Sequence, residues 1–291
     1  MKRVMAGAAA LAAVLVGAAP AHASVASVQA NRCCVWVQYD ASPGEANRVT
    51  ASVGQDSTGA WTWTISDPGA AVIQPQSQDP TSATGCFPAG VSRVICREND
   101  YAPTSQFYLG DGNDTYAGSG LPAIAAIFGG DGDDRLQGGP GANVLVPGLG
   151  ADQVIGAGRD LVEYRDHPAR VHVSLDGVAN DGMPGEGDDV TGVDQIEGSP
   201  YDDTLVGSDG PDRIYGYGGS DRIDGRGGDD DLSADGHDRV TGGPGRDTIR
   251  AFGGDNRIDA TDGEVDTVDC GFWTGNTLAV DPVDVLQNCP A

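Results

Sequence analysis

The sequence predicts an all-β solenoid, in which short strands alternate with glycine-rich loops. Glycine supplies 45 of the 291 residues, and from about residue 110 it recurs with aspartate and a large apolar residue in a nine-residue frame. A fixed internal period of this kind is typical of solenoid proteins. Without that period, the low hydrophobic content and the formal net charge of −26 would indicate a disordered chain.

The repeated unit is clearest at residues 129–137, which read GGDGDDRLQ. We call Asp134 the anchor of this unit; Gly132 lies two residues before it and Leu136 two residues after it. The same frame fits two arrays of anchors. They are Asp114, Asp134, Asn143, Asp152 and Asp160, then Asp203, Asp212, Asp221, Asp230, Asp238, Asp247 and Asn256. The large apolar residues two positions after them are Tyr116, Leu136, Leu145, Val154, Val162, Leu205, Ile214, Ile223, Leu232, Val240, Ile249 and Ile258.

Each nine-residue unit can form one loop and one short strand. Side chains alternate across a strand, so the single apolar residue points inward while its neighbours point outward. Two units complete one turn of the solenoid, and successive turns pair as parallel strands about 4.8 Å apart. Anchor carboxylates stacked at that spacing repel one another unless a cation lies between them. Calcium suits this position because it takes about six to eight oxygens from carboxylates and backbone carbonyls.

The unit resembles the haemolysin-type calcium-binding nonapeptide of the repeats-in-toxin (RTX) family, G-G-x-G-x-D-x-U-x, where U is a large apolar residue. The chain is similar to secreted actinobacterial members of that family over essentially all of residues 24–291. The resemblance implies a right-handed parallel β-roll or β-helix solenoid of glycine-rich nonapeptide repeats with disulfide-closed caps, and several bound Ca²⁺ ions. The implied calcium ligands are Asp114, Asp134, Asp152, Asp160, Asp203, Asp212, Asp221, Asp230, Asp238 and Asp247.

The resemblance also covers segments outside the two arrays. Residues 171–189 resemble a linker between arrays, and residues 266–289 resemble a C-terminal cap closed by a disulfide. Residues 44–51 (GEANRVTA) echo residues 253–260 (GGDNRIDA) and indicate a degenerate first repeat.

Several units depart from the family pattern. Asn143 and Asn256 replace the anchor aspartate, and we expect both to weaken their calcium sites. The second loop position, four residues before the anchor, is glycine throughout the first array. In the second array it includes bulky residues such as Tyr217, Arg226 and Phe252, which we expect to strain the loop or to reduce calcium occupancy.

The first 23 residues have the features of a secretory signal peptide. Lys2 and Arg3 precede an apolar run over residues 4–19, and Ala21-His22-Ala23 is a small-x-small cleavage motif. We therefore expect cleavage after Ala23 and a secreted, extracellular protein with no membrane span. Six cysteines in an exported chain indicate disulfides. Their positions leave the pairing of Cys33 and Cys34 open.

The repeat arrays divide the chain into six predicted segments. These are a signal peptide (1–23), an N-terminal β cap region with degenerate repeats (24–106), a first calcium-binding array (107–163), an inter-array strand and linker (164–197), a second calcium-binding array (198–268) and a C-terminal disulfide cap (269–291).

Charge and motifs exclude several classes of function. Residues 106–291 hold 36 of the 43 acidic residues, so there is no basic patch for nucleic acid. The HExxH and GxSxG motifs of metalloproteases and serine hydrolases are absent from the sequence. We expect a non-enzymatic, secreted calcium-binding solenoid that folds on calcium and acts as a structural or surface-interaction module, its cell-surface or matrix partner unidentified. The alternatives are a secreted adhesin, or an enzyme with a catalytic site in the N-terminal non-repeat region.

Two charged groups of residues allow more than one interpretation. Arginine follows five anchors directly, at Arg135, Arg213, Arg222, Arg239 and Arg257, and serves either charge compensation or partner binding. The linker acids form either a polar loop or an extra calcium site; they are Asp176, Asp181, Glu186, Asp188 and Asp189.

Overall fold

A computed structural model describes residues 25–30, 35–57, 59–68, 74–75, 85–88, 93–98, 104–120, 124–271 and 274–289. These ranges hold 27 β-strands, numbered here in chain order, and no helix. None of the described residues therefore forms a helix long and apolar enough to cross a bilayer. The predicted signal peptide and the Cys33–Cys34 pair lie outside the described residues.

The long sheet has 13 strands and runs the length of the solenoid. Its strands are β1 (Val25–Ala30), β2 (Val35–Asp40), β5 (Gln74–Pro75), β8 (Thr104–Asp111), β10 (Ile124–Asp131), β12 (Val144–Leu149), β14 (Leu161–Glu163), β17 (Gln195–Glu197), β19 (Arg213–Tyr215), β21 (Asp231–Asp235), β23 (Thr248–Phe252), β25 (Thr267–Asp269) and β27 (Val285–Gln287).

Two shorter sheets share the remaining strands. The N-terminal sheet contains β3 (Arg48–Gln55), β4 (Trp61–Ser66), β6 (Gly85–Pro88), β7 (Arg93–Glu98), β9 (Thr115–Gly120), β11 (Arg135–Gln137), β13 (Gln153–Ile155) and β16 (Asp189–Thr191). The C-terminal sheet contains β15 (His172–Ser174), β18 (Thr204–Val206), β20 (Arg222–Asp224), β22 (Arg239–Thr241), β24 (Arg257–Ala260) and β26 (Thr277–Val280). From β8 onward the chain alternates between the long sheet and a shorter one, except where β15 is followed by β16.

The strand register confirms the predicted period. Ile214 pairs in parallel with Leu232, which lies 18 residues later, so two nine-residue units make one turn. All twelve predicted inward residues are buried, with at most 1% of each side chain exposed. The predicted solenoid of parallel strands, with one large apolar residue per unit in its core, is therefore confirmed.

The two ends of the solenoid differ in construction. At the N-terminal end, β3, β4, β7 and β6 pair antiparallel in that order, and β3 joins the parallel part through β9. At the C-terminal end, a disulfide links Cys270 to Cys289 and so ties β25 to the residues after β27. This bond is the cap that the resemblance implies. Cys96, in β7, is also disulfide-bonded.

The inter-array segment lets the chain change from one short sheet to the other. After β14 the chain forms β15, which begins the C-terminal sheet, and then β16, which ends the N-terminal sheet. Asp181 and Asp188 form an isolated antiparallel bridge between these two strands. The long sheet continues past the segment because β14 pairs directly with β17.

Two loop glycines show how closely the turns approach one another. Gly130 has φ +111°, and a Cβ on it would collide with the carbonyl oxygen of Gly110 in the neighbouring turn. Gly158 has φ +80°, but a Cβ there would meet no atom within 4 Å. Both residues thus need the left-handed backbone region, and only Gly130 also needs the missing side chain.

We expect Gly130→Ala to destabilise the calcium-saturated protein by at least about 3 kcal/mol, because a backbone clash adds to the strain of positive φ. Gly158→Ala, the matched control, should lose only about 1 kcal/mol from the strain alone. Thermal unfolding of the two variants measures the difference. Equal shifts in melting temperature would show that the clash between neighbouring turns does not add to the cost of the Gly130→Ala substitution.

Candidate functional site

The anchors stack into rows that follow the solenoid, and each row is hydrogen-bonded along its length. The backbone N–H of one anchor donates to the carboxylate Oδ1 of the anchor one turn later; Asp134 donates to Asp152 at 2.7 Å and Asp212 to Asp230 at 2.8 Å. The rows are Asn47, Asp114, Asp134, Asp152 and Asp188; Asp212, Asp230, Asp247, Asp266 and Asp284; and Asp203, Asp221, Asp238, Asn256 and Asn276. Asn143 and Asp160 make the same contact as a separate pair.

All ten predicted calcium ligands are buried, with no more than 5% of any residue exposed. Their second carboxylate oxygen, Oδ2, divides them into two groups. In seven of them Oδ2 is buried and has no hydrogen-bond donor among the described residues. These are Asp114, Asp134, Asp152, Asp221, Asp230, Asp238 and Asp247. A buried anionic oxygen without a donor is costly, so these seven atoms require a cation or a proton.

The other three ligands are capped by their own loops. Oδ2 of Asp160 accepts the N–H of Ala157 at 2.7 Å, and Oδ2 of Asp203 accepts the N–H of Ser199 at 2.6 Å. Oδ2 of Asp212 likewise accepts the N–H of Ser208 at 2.5 Å. Their negative charge is therefore partly satisfied by backbone dipoles.

The φ angle of the residue four positions before the anchor differs between the bare and the capped carboxylates. Six of the seven bare carboxylates have a residue with positive φ at this position: Gly110, Gly130, Gly148, Tyr217, Arg226 and Gly243. Asp238 is the exception, because Ala234, four residues before it, does not have positive φ. None of the three capped carboxylates has it either.

Tyr217 and Arg226 adopt this conformation although they are not glycine. Their φ angles are 63° and 66°, in a region where a side chain costs of order 1–3 kcal/mol. The sequence-based expectation of strain at these two loops is met. Such strain persists where the surrounding structure requires it and is common at binding sites.

At seven of the twelve anchors, a glycine five residues before the anchor makes room beside its side chain. A Cβ placed on Gly129 would collide with Oδ2 of Asp134 and with the carbonyl oxygen of Pro147 in the next turn. A Cβ on Gly207 would lie 2.7 Å from Oδ2 of Asp212 and 2.5 Å from the carbonyl oxygen of Gly225. The glycine thus creates a cradle in which a carboxylate oxygen and a carbonyl oxygen approach the same point.

The asparagine anchors fill the corresponding position with their own amide. The Nδ2 group of Asn143 donates to the carbonyl of Gly139 at 2.8 Å, and that of Asn256 donates to the carbonyl of Gly253 at 2.9 Å. A donor therefore stands where an aspartate presents a bare oxygen. This contact gives a physical reason for the weaker calcium sites predicted at the two asparagines.

Two of the five linker acids, Asp181 and Asp188, are satisfied by donors of the protein itself, whereas Oδ1 of Asp189 is buried without a donor among the described residues. Asp181 accepts the N–H of Ser174 at 2.7 Å through Oδ1 and that of Val190 at 3.0 Å through Oδ2. Asp188 accepts the N–H of Asp152 at 2.9 Å and, through Oδ2, the hydroxyl of Tyr164 at 2.9 Å. These contacts favour the polar loop over an extra calcium site.

Sequence reasoning missed several members of the rows, and also Asp194, which fits the anchor frame but does not belong to a row. Asp194 has Gly192 before it and Ile196 after it, in the same frame as the other anchors, so its signal is readable. Its Oδ1 is buried without a donor among the described residues. Four members of the rows keep the large apolar residue two positions later but lack the glycine two positions earlier, so the repeat pattern did not separate them from other polar residues. They are Asp188, Asp266, Asp284 and Asn276.

Burial raises the pKa of the bare carboxyls well above its ordinary value of 3.8. The pKa rises to about 7 at Asp134 and Asp152, and to about 8 at Asp221 and Asp230. Loss of solvation is the main cause in each case, and the neighbouring carboxylates of the row add to it. The N–H bond to Oδ1 acts in the opposite direction.

The ligand chemistry of the rows fits a hard cation. Among the described ranges, no three carboxylate, histidine or cysteine side chains converge on one point. Backbone carbonyls must therefore provide most of the oxygens around any ion held in a cradle. Calcium accepts such a set of one or two carboxylates with several carbonyls.

Comparison with known families agrees with this geometry. The family described as RTX calcium-binding nonapeptide repeat (4 copies) matches residues 126–154, 197–232 and 233–264. The chain therefore carries RTX calcium-binding nonapeptide repeats, as the resemblance in its sequence indicates. No curated protein matches the chain.

The raised pKa values predict how the metal-free protein depends on pH. The folded pKa is raised to about 6 at Asp114 and Asp247, to about 7 at Asp134 and Asp152 and to about 8 at Asp221 and Asp230, so between 3.8 and these values the folded state binds more protons than the unfolded chain. The stabilisation that these protons provide is complete below about pH 4 and is lost as the pH rises through about 6 to 8. In chelator, circular dichroism should show more β structure at about pH 5 than at about pH 8. A fold that gains stability toward alkaline pH would contradict these values.

Proposed function

We propose that the chain is a secreted, non-enzymatic protein that folds on calcium outside the cell and acts as a structural or surface-interaction module. One observation carries the proposal: buried Oδ2 atoms without a donor repeat along the rows, with loop carbonyls beside them. The matched RTX repeats support calcium as the cation. Bound calcium would supply positive charge that neutralises adjacent carboxylates and crosslinks successive turns.

We assign the strongest calcium ligands to the bare group. Asp114, Asp134, Asp152, Asp221, Asp230, Asp238 and Asp247 can direct Oδ2 to an ion without breaking a hydrogen bond. Asp160, Asp203 and Asp212 would first have to release the N–H groups that cap them. We therefore propose that these three bind calcium more weakly or only through Oδ1.

Coupling of folding to calcium follows from the thin core and from the rows. Each unit buries only one large apolar side chain, whereas ordering the backbone of all nine residues opposes folding. At neutral pH the rows add repulsion between buried carboxylates, whose spacing is that of the strands. A ligand that binds only the folded rows shifts this equilibrium toward folding.

The first test is a calcium titration of residues 24–291 in chelator at about pH 8, where the anchors are most ionised. We expect β content by circular dichroism to rise with calcium and to return to the unfolded signal on addition of EDTA. Magnesium is the matched control and should be much less effective, because it demands near-octahedral geometry and keeps its water. Unchanged β content with EDTA and with calcium would overturn the coupling.

A second test separates the rows from general surface charge. Asp230→Asn removes a bare buried oxygen, whereas Asp209→Asn removes the same charge from an exposed loop residue. Asp230→Asn should reduce the calcium stoichiometry by about one ion and raise the stability of the metal-free protein, because folding no longer requires a buried carboxyl with a pKa of about 8 to take up a proton.

The Asp209→Asn control should change neither quantity. Calorimetric titration gives the stoichiometry, and thermal unfolding in EDTA at about pH 6 gives the metal-free stability. Equal effects of the two variants would mean that calcium responds to net charge and not to the rows.

A further inference from the structure

Position along a row separates the bare carboxylates from the closed ones. The first, second and third rows begin at Asn47, Asp212 and Asp203, respectively. All seven bare carboxylates of the predicted ligands lie in the interior of a row, and so does Asp266, whose Oδ2 is also buried without a donor among the described residues. No row end presents a bare carboxylate oxygen in the described part of the chain. Interior position therefore accounts for Asp238, which is bare although its loop lacks positive φ.

Five of the six row ends carry either no charge or a backbone donor. Asn47 and Asn276 are neutral. The aspartates that begin the second and third rows are capped by loop N–H groups, as described above. Asp284, which ends the second row, accepts the N–H of Asp281 at 2.6 Å through Oδ2. These ends do not need a cation to satisfy a buried oxygen.

The difference between interior and end has a physical reason. An interior carboxylate has a neighbouring turn of its row on both sides, whereas a carboxylate at an end has one on a single side. Calcium takes about six to eight oxygens, and carbonyls and carboxylates of adjacent turns can provide them together. At an end, fewer protein oxygens are available, so a buried carboxylate there is better satisfied by a hydrogen-bond donor.

The sixth row end, Asp188, is closed by a side chain that does not belong to the row. The hydroxyl of Tyr164 donates to Oδ2 of Asp188 at 2.9 Å, and both residues are fully buried. Oδ1 of Asp188 accepts the N–H of Asp152 at 2.9 Å. The N–H of Asp188 itself donates to the carbonyl of Asp181, so the first row does not continue beyond this residue.

The sequence singles out Tyr164 among the repeats. It lies four residues after the anchor Asp160, and at the other eleven anchors this position holds glycine, alanine or proline. The large side chain thus occurs only in the unit that precedes the irregular inter-array segment, where the first row ends. Burial raises the pKa of Tyr164 well above 10, so its hydroxyl keeps the proton and remains a donor.

We propose that calcium is confined to the interior of the rows and that the Tyr164 hydroxyl takes the place of a cation at the end of the first row. The inference rests on the proposed function, because it concerns where calcium binds and where it is excluded. Asp152 is then the last calcium ligand of the first row. Asp266 becomes a ligand of the second row, although the matched repeats end at residue 264.

The first test makes the same substitution in adjacent turns of the first row. Asparagine keeps Oδ1 as the acceptor of the row N–H, as Asn256 does for Asp238. Residues 24–291 are titrated with calcium by calorimetry at about pH 8, where the anchors are most ionised. Asp152→Asn should bind about one ion fewer than the parent, whereas Asp188→Asn should bind the same number as the parent.

The second test removes the donor alone. Tyr164→Phe keeps the buried ring, which packs against His167 with 4.7 Å between the ring centroids. Oδ2 of Asp188 then becomes bare, and Oε2 of Glu186 is close to it: a Cβ on Gly182 would lie 2.6 Å from the first oxygen and 2.8 Å from the second. We expect Tyr164→Phe to bind about one calcium ion more than the parent. Adding Asp188→Asn should restore the number of the parent, because the bare carboxylate is gone.

The second row provides an independent comparison, in which a backbone N–H closes the end. Asp266→Asn should lose about one ion and Asp284→Asn none. Circular dichroism in saturating calcium verifies that every variant is folded. A purely structural role of the Tyr164 hydroxyl would lower the melting temperature of Tyr164→Phe without changing the number of ions.

Two results would overturn the inference while leaving the proposed function intact. Loss of an ion in folded Asp188→Asn or Asp284→Asn, equal to the loss in the interior variants, would show that calcium is not confined to row interiors. An unchanged number of ions in folded Tyr164→Phe would show that the hydroxyl does not replace a cation. A parent that bound no calcium would overturn the proposed function, and this inference with it.

Discussion

The buried row of carboxylates is the interaction on which the rest of the structure depends. One oxygen of each carboxylate holds the backbone N–H of the preceding turn, as in Asp134 to Asp152, and so sets the register between turns. The other oxygen remains without a donor in seven of the predicted ligands. Burial raises the free energy of these anions, and their neighbours in the row raise it further. Positive φ four residues before six of these seven anchors serves this arrangement, because the loop N–H is then directed away from the bare oxygen.

The loops around the anchors adopt different forms, which differ in backbone conformation and in anchor residue. At Ser199 and Ser208, which lie four residues before their anchors and lack positive φ, the backbone N–H turns onto Oδ2 and caps it; Asp238 is the exception, because it is bare although Ala234 also lacks positive φ. Where the residue four positions before the anchor is in the left-handed region, as at Gly243, the N–H does not reach the carboxylate. Asparagine anchors give a third form, in which the amide bonds the loop carbonyl. A single repeat thus places its anchor side chain in three different hydrogen-bonding arrangements without any change in the core.

The sequence predicts the repeating features of this structure, but it does not predict which residues join a row across the irregular segment or which anchors are capped. Inward residues such as Leu136 and Ile223 are predictable because the period alone determines the face of a strand. Asp188 was not assigned to a row because its membership depends on β13 pairing with β16 across an irregular segment, and such pairing is a long-range property. The capping of Asp212 was not predictable either. Residue type suggests that Tyr217 should avoid the left-handed region and that Ser208 is the less restricted of the two, yet only Tyr217 adopts it.

The anchor rows and the outward arginines that follow some anchors occupy different parts of the same turn, and electrostatics connects them. The rows lie in the loops, and the arginines lie on the strands that directly follow them, as Arg222 follows Asp221. Charges within about 8 Å interact at physiological ionic strength, so ionised anchors oppose the approach of an anion to the strand beside them. Neutralising the rows removes this repulsion while the arginines keep their charge. A cation bound in the rows would therefore lower the negative potential around these arginines without changing their own charge.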